Sequence, residues 1–307
     1  MTRLKPLLAL KVDVDTLRGT RVGVPALVQL FSAHGVGATF LFSVGPDHTG
    51  RALRRVFRRG FLSKVSRTSV LAHYGLRTLL YGTLLPGPHI GRTCVNEMQA
   101  VRAAGFEVGL HTYDHVKWQD FVAARGADWT QREMRRGIDA FREAFGEPPE
   151  VHGAAGWQMN DAAFEAEPAM GLKYCSDTRG THPFRPVVGE KAIACPQLPT
   201  TLPTLDELIG VDGRTPADAA ACLLELTREP PEHGHVYTLH AELEGMRLKP
   251  ALETLLHGWR AQGYELVAMR RVAERLNAAT LPHHRVEPAA IPGRSGFVMT
   301  QGLAVSH

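Results

Sequence analysis

Cysteine is scarce in this 307-residue chain, confined to Cys94, Cys175, Cys195 and Cys222. No two of them form a Cys-x-x-Cys pair, which excludes the common thiolate metal modules. Free, scattered thiols suit a reducing compartment better than a disulfide-stapled scaffold. Long apolar runs are also missing, and nothing approaches the roughly 20 residues that a transmembrane helix needs. Met1 to Leu10 leads straight into Lys11-Val12-Asp13-Val14-Asp15, without the apolar stretch and small-residue cleavage site of a signal peptide. These absences lead to the expectation of a cytoplasmic chain that meets a membrane only from the side. Internal repeats and low-complexity tracts are lacking too. The length suits one large α/β domain or two small ones. A formal charge of +4, with 44% hydrophobic and 21% charged residues, is ordinary for a globular protein.

Negative charge is missing from one long stretch. Between Asp47 and Glu97 there is no Asp or Glu, whereas Arg51, Arg54, Arg55, Arg58, Arg59, Lys64, Arg67, Arg77 and Arg92 all fall there. Leu53, Val56, Phe57 and Phe61 recur among them at helical spacing, and Val70 to Leu85 is rich in Leu and Tyr. Residues 48–92 therefore read as an insertion of basic amphipathic helices. A plain charged helix face is the bland reading. Nucleic-acid binding is disfavoured, because the aromatics sit on the apolar stripe and not among the arginines. Arginines opposite Leu and Phe suit an anionic membrane surface, each contributing on the order of 1 kcal/mol. The preferred partner of residues 51–85 is thus the anionic inner-membrane surface.

What is present elsewhere is a rhythm. Apolar strand patterns at 7–14, 38–44, 106–110, 150–155, 172–176, 236–239 and 264–268 alternate with helical patterns at 24–34, 93–104, 130–145, 161–169, 216–228, 249–261 and 270–277. Such alternation argues for parallel βα units in one α/β sheet or barrel. The main domain is expected over 1–280. The Pro- and Gly-punctuated tail over 281–307 shows no clear period.

The chemically loaded residues fall at strand ends. Asp13 and Asp15 are two apart and project to one side of the first strand. His111 and His115 close the strand at 106–110, and His240 closes that at 236–239. Parallel α/β folds build their sites on that strand edge. Two imidazoles and one carboxylate form a catalytic set for a divalent metal with positions left open. The donor mix fits Zn, Co, Mn or Ni alike. Such an ion brings the pKa of water from about 15.7 towards neutrality and polarises a carbonyl. A second carboxylate then serves as base, and a histidine across the site protonates a departing amine. The spacing does not decide which of Asp13 and Asp15 is ligand and which is base.

Val12-Asp13-Val14-Asp15-Thr16, His111-Thr112-Tyr113-Asp114-His115 and Leu239-His240 together resemble the polysaccharide deacetylase family, also called NodB-homology or carbohydrate esterase 4-like. The likeness runs from about residue 5 to 275. It implies a distorted (β/α)7 barrel holding one divalent metal, with Asp13 as base, Asp15, His111 and His115 as metal ligands, and His240 as general acid. A closer likeness is to the branch of that family that removes formate from a formamido sugar carried on undecaprenyl phosphate. It rests on Arg18-Gly19-Thr20-Arg21, Phe42-Ser43-Val44-Gly45-Pro46-Asp47, Ala154-Ala155-Gly156-Trp157, Ser176-Asp177 with Arg179-Gly180, Pro183-Phe184-Arg185-Pro186, and His240-Ala241-Glu242-Leu243-Glu244-Gly245. That branch implies aminoarabinose for lipid A, polymyxin resistance, and work at the cytoplasmic face of the inner membrane. A polysaccharide or peptidoglycan N-deacetylase and a non-catalytic membrane adaptor are the rivals.

Two departures shape the remaining expectations. Val14 separates aspartates that are adjacent in the wider family. The stretch His152 to Trp157 also lacks the arginine that the family places beside the base. Arg179 is expected to supply that partner, and Asp177 to orient His240. Glu242 and Glu244 read as solvated charges or, second, as sugar contacts. Trp157 reads equally as sugar platform or core, and His73, His89, His152 and His235 as surface or packing residues.

Overall fold

The computed structural model describes residues 5–52 and 78–305. Seven strands form one parallel sheet in the order β5-β4-β3-β2-β1-β8, with β9 also paired to β1. They are β1 Leu7–Val14, β2 Thr39–Ser43, β3 Glu107–Thr112, β4 Val151–His152, β5 Tyr174–Cys175, β8 His235–His240 and β9 Glu265–Val267. The expected α/β barrel of parallel strands is what forms. Its distortion is visible along β1: β8 lines one edge at Leu8–Asp13, while the other edge is shared by β9 at Leu7–Ala9 and β2 at Lys11–Val14. Between β5 and β8 the barrel is closed by irregular chain, through Leu198 N–H to Cys175 O at 2.8 Å and Thr201 N–H to Val236 O at 3.0 Å.

The two faces of β1 explain both the core and the site. Leu8, Leu10, Val12 and Val14 point outward and pack with Leu27, Phe31, Phe40, Phe42, Leu252 and Trp259 under the helices. Phe31, Phe40 and Phe106 meet edge-on or tilted, with centroids 5.5–6.2 Å apart. Each such buried side chain contributes about 1.5–3 kcal/mol. Leu7 and Ala9 face the barrel interior with Leu41, Val151, Leu198 and Val236. Further along that inner face come Lys11 and Asp13, both buried. The interior thus runs from apolar at one end to charged at the other.

Helix signals act as their chemistry demands. Val24–His34 has Pro25 in its first turn and stops at Gly35, whose φ of 57° frees its N–H to cap Phe31 O and Ser32 O. Ala127–Phe145 ends at Gly146 in the same left-handed conformation. The helices expected at residues 53–77 lie outside the described residues. The chain resumes in a single 3₁₀ turn, Thr78–Leu80. The tail without clear period folds as a hairpin, β10 His283–Ala289 against β11 Val298–Ala304. It extends a second sheet, β11-β10-β6-β7, on β6 Arg185–Val188 and β7 Lys191–Ala192. No residue of β10 is fully buried, so its sequence carries no in-out alternation to read.

Candidate metal centre

Asp13 stands on the inner face of β1, in register with His240 on β8. Asp15 follows two residues later on the same side, just past the strand end. Its backbone is fixed by Glu242: Oε1 accepts from Asp15 N at 3.1 Å, Thr16 N at 2.9 Å and Thr16 Oγ1 at 2.8 Å. Glu242 and Glu244 are both buried, which corrects the expectation of solvated charges. Glu244 accepts from His240 N at 2.9 Å, so each glutamate holds backbone and leaves side chains free for chemistry.

His111 lies near the end of β3, and Asp114 caps the helix His115–Phe121 by accepting from Lys117 N at 3.1 Å. That cap sets His115 at the mouth of the barrel. His111 Nε2 lies 3.2 Å and His115 Nε2 3.4 Å from Asp15 Oδ1. His111 Nδ1 donates to Gly153 O at 2.5 Å, so the neutral ring presents a bare Nε2 to the carboxylate. Asp15 Oδ1 is buried without a hydrogen bond, and so is Asp13 Oδ1. Two nitrogens and one oxygen with these separations fit around an ion at the usual distances of about 2.0–2.2 Å. Burial opposes ionisation of Asp15, but His115 and His111 outweigh it and hold its carboxyl well below the usual range. Burial lowers His115, keeping its lone pair available. Burial also pushes His111 down, yet Asp13 and Asp15 pull it above its ordinary value, a pull that a cation among them would cancel.

Three neighbours were not foreseen. Lys11, on the inner face two residues before Asp13, puts Nζ 3.4 Å from Asp13 Oδ2 and donates to Ser176 O at 3.0 Å. Its signal was a lysine in an otherwise apolar strand, at the parity of Asp13. Asp206 faces the His240 ring, Oδ1 to Nδ1 at 3.8 Å. Burial lowers His240, but Asp206, Asp15, Glu244 and Asp13 raise it to about 9. Gly153 is the third: a Cβ there would lie 2.4 Å from Leu41 Cδ1 and 3.0 Å from Lys11 Cε, so only glycine lets this carbonyl reach His111.

Asp177 and Arg179 stand elsewhere than expected. Asp177 partners His152, Oδ1 to Nδ1 at 2.7 Å, and accepts from Ala154 N at 2.7 Å and Gln197 Nε2 at 2.8 Å. It therefore braces both residues flanking Gly153 and does not orient His240. Burial works against its charge, yet His152 holds its pKa near 2. Glu167 beside it is pushed well up by burial and by Asp177. His152, Glu167, Cys175 and Asp177 also bring ligand atoms within 4.8 Å of one another, but both Asp177 oxygens already accept hydrogen bonds there. Arg179 bonds Glu207 Oε1 at 2.7 Å and Leu202 O at 3.0 Å. Its backbone is pinned to Met299 O at 2.9 Å, and its guanidinium is engaged by Glu207 and Leu202. Trp157 is buried, with Lys11 5.3 Å and Arg179 4.9 Å from its ring centroid, and so belongs to the core.

Comparison with known proteins shows what the chain is similar to. The family model for polysaccharide deacetylase matches residues 4–175, more than half of the chain. A curated protein of Shewanella sediminis, named "Probable 4-deoxy-4-formamido-L-arabinose-phosphoundecaprenol deformylase ArnD", is 35% identical over 297 residues, 97% of this chain and 95% of that protein. A protein of the same name from Wigglesworthia glossinidia brevipalpis is 30% identical, covering 92% and 98%. Among solved structures, a candidate polysaccharide deacetylase from Mycobacterium smegmatis superposes with a TM-score of 0.60 at 18% identity, covering 95% of this chain and 97% of that one. At that identity the likeness speaks for the fold alone.

Proposed function

The chain belongs to the polysaccharide deacetylase family, and on that premise we propose that it hydrolyses the formamide of undecaprenyl-phosphate-linked 4-deoxy-4-formamido-L-arabinose. The products are formate and the 4-amino sugar destined for lipid A, where it confers polymyxin resistance. The observation that carries the reading is the convergence of Asp15, His111 and His115 beside Asp13, whose Oδ1 accepts no hydrogen bond, in a chain similar along nearly its whole length to proteins bearing the deformylase name.

Asp15 Oδ1, His111 Nε2 and His115 Nε2 are the atoms that would hold one divalent ion, with Zn, Co, Mn and Ni all compatible. Such an ion supplies Lewis acidity, polarising the formyl carbonyl and easing ionisation of a water molecule. Asp13 accepts the proton of the attacking water at Oδ1, while Lys11, with Nζ 3.4 Å from Oδ2, fixes the orientation of the carboxylate. His240, protonated at neutral pH, delivers a proton to the departing amine nitrogen. Asp206 sustains that imidazolium. Asp177 holds Gly153, and through it the tautomer of His111.

The substrate's polyprenyl tail stays in the bilayer, so the enzyme must come to it. Among the described residues no helix is long and apolar enough to cross a membrane. We assign docking to the basic segment 51–85, at the cytoplasmic face of the inner membrane. Binding to anionic vesicles that weakens with salt supports this assignment; salt-independent binding rejects it.

The test of the reaction is product release from two lipid-linked substrates differing only in the acyl group. Formate from the formamido sugar, with little acetate from its acetamido counterpart, supports the proposal. Acetate alone moves the chain to the deacetylases, and neither product from folded, metal-loaded protein rejects the hydrolase.

A further inference from the structure

His182, in the loop before β6, and His284, on β10, meet where the C-terminal hairpin joins the body of the protein. Their Nε2 atoms lie 3.2 Å apart, with ring centroids at 5.0 Å and planes inclined by 71°. The surrounding hydrogen bonds fix both tautomers. His284 Nδ1 lies 2.9 Å from Gly302 O. A carbonyl only accepts, so Nδ1 carries the hydrogen and Nε2 of the neutral ring is bare.

For His182 the argument runs through Gln301. The side-chain oxygen of Gln301 accepts from Thr181 N at 2.8 Å, which turns its amide nitrogen, 3.0 Å away, toward His182 Nε2. An amide NH₂ only donates, so that Nε2 is an acceptor. His182 Nδ1 then donates to Thr181 Oγ1 at 2.8 Å, whose own proton goes to Gln301 Oε1 at 3.3 Å. Two imidazole nitrogens therefore face one another with no hydrogen between them when both rings are neutral, and a shared cation would take the His182 lone pair in place of the Gln301 N–H. Lone pairs so placed repel, and a cation shared between them reverses the sign.

We propose that His182 and His284 form a second transition-metal site, independent of the catalytic centre, that clasps the C-terminal hairpin to the barrel. Two imidazoles on one ion, each at about 2.0–2.1 Å, stand roughly 3–3.4 Å apart. Neutral imidazole suits zinc, copper and nickel. Both rings are half-buried, and Phe184 packs edge-on against His284 at 5.6 Å, fixing its orientation. The site shares no residue with Asp15, His111 and His115.

The test uses untagged, chelator-stripped, full-length protein carrying His115→Ala, which disables the catalytic triad. Zinc is titrated by calorimetry, and copper(II) by electron paramagnetic resonance. The expected result is one equivalent of ion, nitrogen splitting from two imidazoles, and a higher melting temperature with zinc. Adding His284→Ala or, separately, His182→Gln should weaken binding at least tenfold and remove the zinc-dependent rise. Binding that is unchanged in both variants overturns the proposal. So does the absence of binding in a His115→Ala protein that melts cooperatively, because the pair then shares only a proton.

Discussion

Glu107 and Asp15 are carboxylates set at opposite ends of the same parallel sheet. Glu107 opens β3, and every donor around it is engaged. It accepts from Thr39 Oγ1 at 2.5 Å, Arg270 N at 3.0 Å and Tyr174 OH at 2.6 Å. The backbone donor is the N-terminal turn of Met269–Ala273, a favourable place for an anion. Asp15, at the other end, has an oxygen with no hydrogen bond, and two histidine nitrogens aimed at it. A satisfied buried charge serves the fold. A buried charge that the fold leaves unsatisfied is held for something that arrives from outside.

The sharpest way to break this comparison is Asp15→Asn. It should lower formate release by about 10³-fold or more, some 4 kcal/mol of lost transition-state stabilisation. The melting temperature of the metal-free protein should change far less than the activity, because Asp15 Oδ1 accepts no hydrogen bond that holds the fold. A parallel loss of stability and activity would make Asp15 a structural residue.

Glu107→Ala should do the reverse. It strands the Tyr174 and Thr39 hydroxyls and the Arg270 N–H, at a cost of about 3 kcal/mol in denaturant unfolding. The rate per folded molecule should not change. A fall in kcat at unchanged stability would contradict the division between the two ends.

A third change acts between these extremes. Asp177→Asn loosens His152 and Ala154 around the Gly153 carbonyl, and should weaken divalent-ion affinity about 10–100-fold. Activity should recover at saturating ion, which a general folding defect would not allow. Metal affinity equal to that of the wild type would remove Asp177 from the support of His111.

The smallest effect concerns pH. The pKa of His240 is raised from 6.5 to about 9. Its contribution to stability is therefore complete below about pH 6.5 and is lost as pH rises through 9. As general acid it should give a kcat/KM that falls on the alkaline side, at a lower pH than this once an ion offsets the pull of Asp15. Asp206→Asn removes the first of the charges that raise it and should move this limb to lower pH. An unmoved limb would assign it to another group.

The sequence showed the strand-end convergence because the β1 pattern is unambiguous. Leu7 to Val14 is apolar apart from Lys11 and Asp13, and period two places those with Asp15 on one face. Helix limits at Val24–His34 and Lys249–Ala261 were legible from proline and glycine signals and apolar spacing. The contacts between distant loops left no such trace. Asp206 sits in a Thr204 capping box, which reads as a helix start whatever its aspartate faces. Asp177 and Arg179 belong to a stretch shared with the resembling branch, and the missing arginine of His152 to Trp157 points to them, but their partners His152 and Glu207 come from separate segments. The hairpin at 283–304 escaped because half-buried strands at the edge of a sheet need no alternation.

The most direct measurement is formate release by chelator-stripped protein as divalent ion is returned, wild type beside Asp15→Asn. The account predicts no release without ion, recovery in the wild type once the catalytic triad is filled, and no recovery in the variant. Full activity in the stripped wild type, or equal recovery in both proteins, would contradict it.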